Sequence, residues 1–323
     1  TRDYSGYENN GSIVGAAGAT WESTGGFDNK GAYSLSSNAY IQASDSEASV
    51  KSSLNPARAI TLAIWLRPTS TQSAGIIDKM TAGNADGYHL GIDANKPKII
   101  IGSNALLNTW ALPNAIYTHV VGVSNTTHLL IYINGTLNVS ALLPAVTTIL
   151  ANGSVNLRIG LNASGLGSYD GRVDEVTIWN RSLSAAQIWA LSQNQTNIFA
   201  AQETLRGENW GVLATPNNGS SPSGDGVSVM SSNVTILNAK PTQSVPILNT
   251  TDMSKNDTNV NLTAYNISSA DIDGDRIKSI FNWYRNGSSI AVLNMPFEGI
   301  NRTTINNAWD YSGMANDGTE VGP

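Results

Sequence analysis

Apolar residues in this chain recur at every second position in short runs, and Gly, Asn, Ser and Pro break each run after a few residues. Ile60-Thr-Leu-Ala-Ile-Trp-Leu66, Thr118-His-Val-Val-Gly-Val123 and Val173-Asp-Glu-Val-Thr-Ile-Trp179 follow this pattern. So does His128-Leu-Leu-Ile-Tyr-Ile133, which ends on Asn134-Gly135. That dipeptide suits a two-residue hairpin, because both central residues must take positive φ. Period two sends side chains to opposite faces, which is the signature of a strand. The one convincing helix is 184–192, with Ser184 as cap and Ile188, Trp189 and Leu191 on its apolar face. Many short strands between turns bury themselves as a sandwich or jelly roll, so the expected fold class is all-β. The 323 residues suffice for one large or two medium domains.

Composition narrows the setting. Charged residues make up 13% of the chain, so the polar surface must come from Asn, Ser, Thr and Gly. The net charge of -6 includes no basic cluster to neutralise phosphates, which argues against nucleic acid as a partner. There is no cysteine, so packing, glycans or cations must do what disulfides do elsewhere. No apolar run reaches the roughly 18–20 residues that a membrane-spanning helix needs. Asn-x-Ser/Thr acceptors are frequent: Asn10, Asn125, Asn134, Asn138, Asn152, Asn162, Asn180, Asn194, Asn218, Asn233, Asn249, Asn256, Asn261, Asn266, Asn286 and Asn301. They are absent from 13–124 and dense from 125 to 301, which predicts N-linked glycans on an extracellular or cell-surface protein. An Asn-, Ser- and Thr-rich composition alone would also produce some of them.

Seven stretches occur in a recognisable order. They are Asp3-Tyr-Ser-Gly6 with Asn9-Asn-Gly11, Gly31-Ala-Tyr-Ser-Leu35, the run from Ile60 to Pro68, Gly87-Tyr-His-Leu-Gly91, Tyr117-Thr-His-Val120, Leu130 to Gly135, and Gly171 to Leu183. Together they resemble a laminin-G-like (concanavalin A-like) jelly roll over residues 1–196. In that family a first strand precedes the Asp-x-Ser-Gly turn, whereas here nothing precedes Thr1, which reads as a cut end. A strand of that kind lies at the other end, in Val292-Leu-Asn-Met-Pro-Phe-Glu-Gly299, and leads to Trp309-Asp-Tyr-Ser-Gly313 and Asn316-Asp-Gly318. This segment matches Asp3-Tyr-Ser-Gly6, Asn9 and Gly11 at a constant offset of 307, an internal repeat. Residues 293–323 are therefore expected to be the first strand and turn of another jelly roll, with Leu293, Met295 and Phe297 as the inward side chains of a donor strand.

Residues 197–292 resemble an immunoglobulin-like, PKD-type sandwich with its halves in reverse order, the back half in 197–238 and the front half in 239–292. Asp271-Ile-Asp-Gly-Asp275 and Phe281-Asn-Trp-Tyr-Arg-Asn-Gly287 carry the front half. A jelly roll lacking a strand presents an open edge to another strand. The expected partners are copies of this chain, head to tail, either as a covalent tandem array or by strand exchange. The style of the repeats and the composition resemble large archaeal surface proteins.

No catalytic constellation is visible, so a non-enzymatic role is expected. His89, His119 and His128 lie on strand-like runs without a Gly-x-Ser-x-Gly elbow. Asp93, Asp170 and Glu175 lack the family's alternating Glu/Asp glucanase motif. The resemblance implies a structural Ca²⁺ held by Asp3, Asn9, Gly11 and Asp174; Asx turns without metal are the plainer reading. Asp271, Asp273 and Asp275 read as a turn. Trp65, Tyr88, Tyr132, Trp179, Trp210 and Trp283 are expected in cores. Trp21, Trp110 and Tyr169 sit on loop-like segments and are the candidates for stacking on sugars, as a carbohydrate-binding adhesin would need.

Overall fold

A computed structural model describes residues 1–45, 54–56, 58–81, 86–143, 155–162, 167–219, 224–252, 254, 257–297 and 307–319. The chain divides into two compact units. The first takes Thr1–Thr204 with Gly211–Asn233, and the second takes Leu205–Trp210 with Val234–Pro323.

The first unit holds a two-sheet antiparallel sandwich and a separate two-stranded ladder, Leu213–Ala214 with Val229–Met230. The strands of the sandwich are β1 (Gly11–Val14), β2 (Ala19–Glu22), β3 (Ala32–Leu35), β4 (Tyr40–Ala43), β5 (Ile60–Pro68), β6 (Ala74–Met80) and β7 (Gly87–Asp93). They continue with β8 (Lys96–Ile101), β9 (Asn104–Leu107), β10 (Thr118–Ser124), β11 (His128–Ile133), β12 (Thr136–Leu142), β13 (Leu157–Ile159) and β14 (Gly171–Trp179). One sheet runs β1-β4-β13-β6-β7-β8-β9 and the other β12-β11-β10-β5-β14-β3-β2. Every second residue of β5 (Ile60, Leu62, Ile64 and Leu66) points into the core between the sheets, with Ile77, Tyr88, Leu90, Ile99 and Ile131 among its partners. Full burial of such a side chain is worth about 1.5–3 kcal/mol, so this layer dominates the unit's stability.

The outer face of the second sheet is also covered. Helix α1 (Ala185–Ser192) begins where Ser184 accepts the Gln187 N–H at 3.2 Å, as the capping pattern predicts. Its Ile188 joins Leu183, Ala63, Val121, Val123 and Tyr132 in a second apolar cluster. The segment after α1 is tied back onto it. Gln187 donates to the Ile198 carbonyl and accepts the Ala200 N–H, and the buried Glu203 carboxylate pairs with Arg181 at 2.6 Å. This cover is why β5 is almost wholly buried although its sequence alternates. The Asn134-Gly135 hairpin joins β11 to β12 with φ of 48° and 82°, values that need these two residue types.

The second unit, among its described residues, contains two-stranded ladders only. Asn209–Trp210 pairs with Val234–Thr235, Ile247–Thr250 with Leu262–Tyr265, Tyr284–Arg285 with Ser288–Ser289, and Asn307–Ala308 with Gly318–Thr319. No helix among the described residues is long and apolar enough to cross a membrane.

Candidate functional site

The turns at Asp3 and Asp310 share one hydrogen-bond pattern. In the first copy Asp3 accepts the Ser5 N–H at 2.9 Å, the Ser5 hydroxyl at 2.8 Å and the Asn9 N–H at 2.8 Å. In the second copy Asp310 accepts the Ser312 N–H at 2.8 Å, the Ser312 hydroxyl at 2.7 Å and the Asn316 N–H at 3.1 Å. The Asp3 N–H donates to Asn10, and the Asp310 N–H donates to Asp317. Thr1 and Gly11 exchange backbone bonds, while Ala308 faces Gly318 in a ladder. The residue that closes the turn lies seven positions after the aspartate, so each motif is a closed ring of short-range bonds that folds from local sequence.

The copies differ in what docks on them. The second is met by an upstream segment of its own unit. The Asn294 N–H donates to Asp310 at 2.9 Å, the Tyr311 N–H donates to the Asn294 carbonyl at 2.8 Å, and the Asn316 side chain donates to the Val292 carbonyl at 2.9 Å. Met295 packs beside Gly318, and Ser312 is wholly buried. These donors, the Ser312 hydroxyl foremost, lower the Asp310 carboxyl from 3.8 to about 2. The first copy is met instead by Asp225, which pairs with Arg2 at 2.5 Å and accepts the Tyr4 hydroxyl at 2.7 Å. Burial pushes the Asp3 carboxyl up, but the donors from Ser5 and Asn9 outweigh it and leave it below its ordinary value.

A second feature lies on the outer face of the β5 sheet. Register places Asp174, Trp65 and His119 side by side on β14, β5 and β10. The Phe27 ring stacks on Trp65 with centroids 3.4 Å apart and planes 12° apart, and the Trp65 and His119 rings are 5.1 Å apart. Asp174 holds this arrangement: it accepts the Phe27 N–H at 2.9 Å and the Glu175 N–H at 2.9 Å. A Cβ at Gly26 would lie 2.6 Å from the Asp174 carboxylate, so only glycine lets the loop come this close. Burial raises the Asp174 carboxyl despite those two donors. Trp65, His119, Glu175, Thr177, Leu191, Asn194 and Thr196 line a cavity of about 20 Å³, room for one water and not for a sugar ring.

Asp3, Asn9 and Gly11 come together in one turn, whereas the bonds of Asp174 belong to the Phe27 loop. Among the described residues no group of three or more His, Cys, Asp or Glu is placed to hold a metal. Asp93 accepts the Ser73 hydroxyl, Asp170 is tied through its backbone to Gln72, and Glu175 sits in a bulge of β14 at φ 48°. Tyr169, expected on a loop, is completely buried, so it is a core residue and not a platform. Trp110 is 44% exposed, and Trp21, on β2, is 37% exposed. Leu293 and Phe297 are exposed, and 292–297 joins no ladder in this chain. Of the sixteen acceptor asparagines, Asn152, Asn256 and Asn301 lie outside the described residues. Asn10, Asn134, Asn138, Asn180, Asn218, Asn233, Asn261, Asn266 and Asn286 are exposed, and Asn125, Asn162, Asn194 and Asn249 are half-buried. The contacts of Phe27 and Asp225 have no signal in the sequence, because both bridge residues more than a hundred positions apart.

Residues 35–189 match the family model of the concanavalin A-like lectin/glucanases superfamily. No curated protein matches the chain. Among solved structures, domain 4 of AbnA, an extracellular arabinanase of Geobacillus stearothermophilus solved with arabinotriose, is 17% identical; the match spans 57% of this chain and 88% of that one, with a TM-score of 0.43. The binding domain of Paraclostridial Mosquitocidal Protein 1 is 15% identical over 79% of this chain and 69% of that one, with a TM-score of 0.48. The binding domain of botulinum neurotoxin DC, in complex with rat synaptotagmin II, is 14% identical over 67% and 58% of the two chains, with a TM-score of 0.47. The two seven-stranded antiparallel sheets and the family match agree: the fold is all-β, and residues 35–189 carry a concanavalin A-like jelly roll.

Proposed function

We propose that this chain is a structural repeat of an extracellular filament, joined head to tail through the Asp-x-Ser-Gly turn. The observation that carries the proposal is the identity of the Asp3 and Asp310 turns, one of which already holds an upstream segment through Asn294. The Val292–Phe297 kind of segment from a neighbouring repeat docks in the same way on Asp3 and Tyr4, beside β1 at the edge of its sheet. Backbone bonds along an edge supply affinity, and alternate side chains supply specificity. The heterologous contact propagates as an open filament unless rotation closes a ring. Glycans on the exposed asparagines, and an immunoglobulin-like packing of 197–292 between the jelly rolls, belong to the same reading.

Electron microscopy of the native material tests it. Filaments of regularly repeated globules are expected, and discrete single particles would sink the proposal. Oxidising a mixture of Tyr4→Cys and Asn294→Cys chains then separates the two modes of joining, since each variant holds a single thiol. Strand exchange gives a mixed disulfide dimer, whereas a covalent array gives none and instead a native polypeptide several repeats long.

The proposal includes Ca²⁺ at the Asp3 turn, where Asp3, Asn9 and Gly11 would hold the ion through hard oxygens. A chelator should lower the melting temperature of the native chain, and an unchanged melt removes calcium from the reading.

A further inference from the structure

Lys79 is 1% exposed and lies opposite Tyr88 in the β6–β7 register, on the face that packs into the core. Lysine is almost never buried this far without a specific reason. Its Nζ is 2.8 Å from Oδ2 of Asp45, itself 3% exposed. The same Oδ2 accepts a hydrogen bond from Nδ2 of Asn55 at 2.8 Å. The lysine and asparagine nitrogens are therefore at most twice that distance apart, with one carboxylate oxygen between them. The surroundings hold all three in place. The Asp45 N–H donates to Asn156 at 3.1 Å, the Tyr88 hydroxyl donates to the carbonyl of Leu54, next to Asn55, at 3.0 Å, and Leu54 and Ala43 are core residues.

We propose that Lys79 and Asn55 form an intramolecular isopeptide bond, with Asp45 as its proton shuttle. The three parts of such a reaction are a nucleophile, an acyl group and an acid–base group in contact with both the attacking and the leaving nitrogen. The Lys79 ammonium passes a proton to Asp45, whose Oδ2 lies 2.8 Å from Nζ. The Nζ lone pair then attacks Cγ of Asn55, and an Nζ–Cγ bond forms. Asp45 delivers its proton to Nδ2, the Cγ–Nδ2 bond breaks, and the second Nζ proton passes to the departing nitrogen. Ammonia, carrying the extra proton as ammonium, leaves. The acyl group changes partners with no oxidation, so no co-reactant is needed. Holding the groups in contact supplies the effective concentration that an unactivated amide requires.

The bond would tie the chain at Asn55, ahead of β5, to β6, the task of a disulfide in other exported proteins, in a chain that has no cysteine. Asn55 is followed by Pro56, which lacks the N–H that lets asparagine close a ring on its own backbone. Ammonia loss at this residue therefore points to an outside nucleophile.

Mass spectrometry of the full chain, produced without glycosylation and purified folded, is the test. The expected mass is one ammonia below that of the sequence. Trypsin should fail to cut at Lys79 and should yield one branched peptide joining the Asn55 and Lys79 segments. Asp45→Asn and Lys79→Arg chains should both show the full mass. The wild-type result does not depend on either variant folding. Full mass in the wild-type chain would overturn the proposal. So would loss of water in place of ammonia, which would place the bond on Asp45, or loss of ammonia with Lys79 still cleavable.

Discussion

Replacing Trp65 with alanine should lower the unfolding free energy of the jelly roll by about 3–5 kcal/mol, the usual cost of removing a buried large aromatic side chain. Trp65 is 4% exposed although it points away from the main core. It is sealed by the Phe27 ring stacked above it and by His119 at its side, and Asp174 fixes the Phe27 loop through a backbone bond. The loss therefore combines transfer of the indole to water with a void that the flanking strands cannot close. Phe27→Ala should cost less, because that ring is already 38% exposed. Urea unfolding of the three chains measures both effects. A Trp65→Ala loss below about 1 kcal/mol would mean that the indole is a surface platform and that the packing around it is wrong. The same comparison bears on ligand binding, since it takes Trp65 out of the set of indoles that could stack on a sugar, while Trp21 and Trp110 stay exposed in it.

How far the sequence discloses this molecule depends on the distance over which each feature is encoded. Strands such as β5, β10 and β14 are legible because period two is a local property and their turns carry Asn, Gly or Pro. The α1 cap and the Asn134-Gly135 hairpin are legible for the same reason. The Asp3 turn and its copy are legible because every bond in them spans ten residues or fewer. Tyr169 was misplaced because loop-like neighbours say nothing of the core into which a single side chain folds. The stack on Trp65 and the Lys79–Asp45–Asn55 cluster are invisible for a different reason. Each is assembled by strand order, and no periodicity announces that two residues far apart in sequence share a face. A lone lysine in an apolar strand was the one available signal for the second, and composition alone cannot distinguish it from a solvated lysine.

His119 should make the jelly roll acid-sensitive over a defined window. It is 2% exposed, its Nδ1 has no hydrogen-bond partner among the described residues, and burial pulls its pKa from 6.5 down to about 4. Glu175 lines the same cavity, and burial is the cause that lowers the imidazole. The folded state thus keeps the ring neutral where the unfolded chain already binds a proton. Stability contributed by this depressed pKa is intact above 6.5, falls as the pH drops from 6.5 to about 4, and levels off below that, where both states are protonated. The full swing is about 3 kcal/mol at roughly 1.4 kcal/mol per pH unit. His119→Phe removes the titration while keeping an aromatic ring beside Trp65. Its stability should therefore change less than the wild type's between pH 7 and pH 4, by about 3 kcal/mol, with every other titrating group common to both chains. Parallel stability profiles for the two chains, or a His119 titration midpoint near 6.5 by NMR, would show that water reaches the ring and that the outer face of the sheet is open where the structure has it closed.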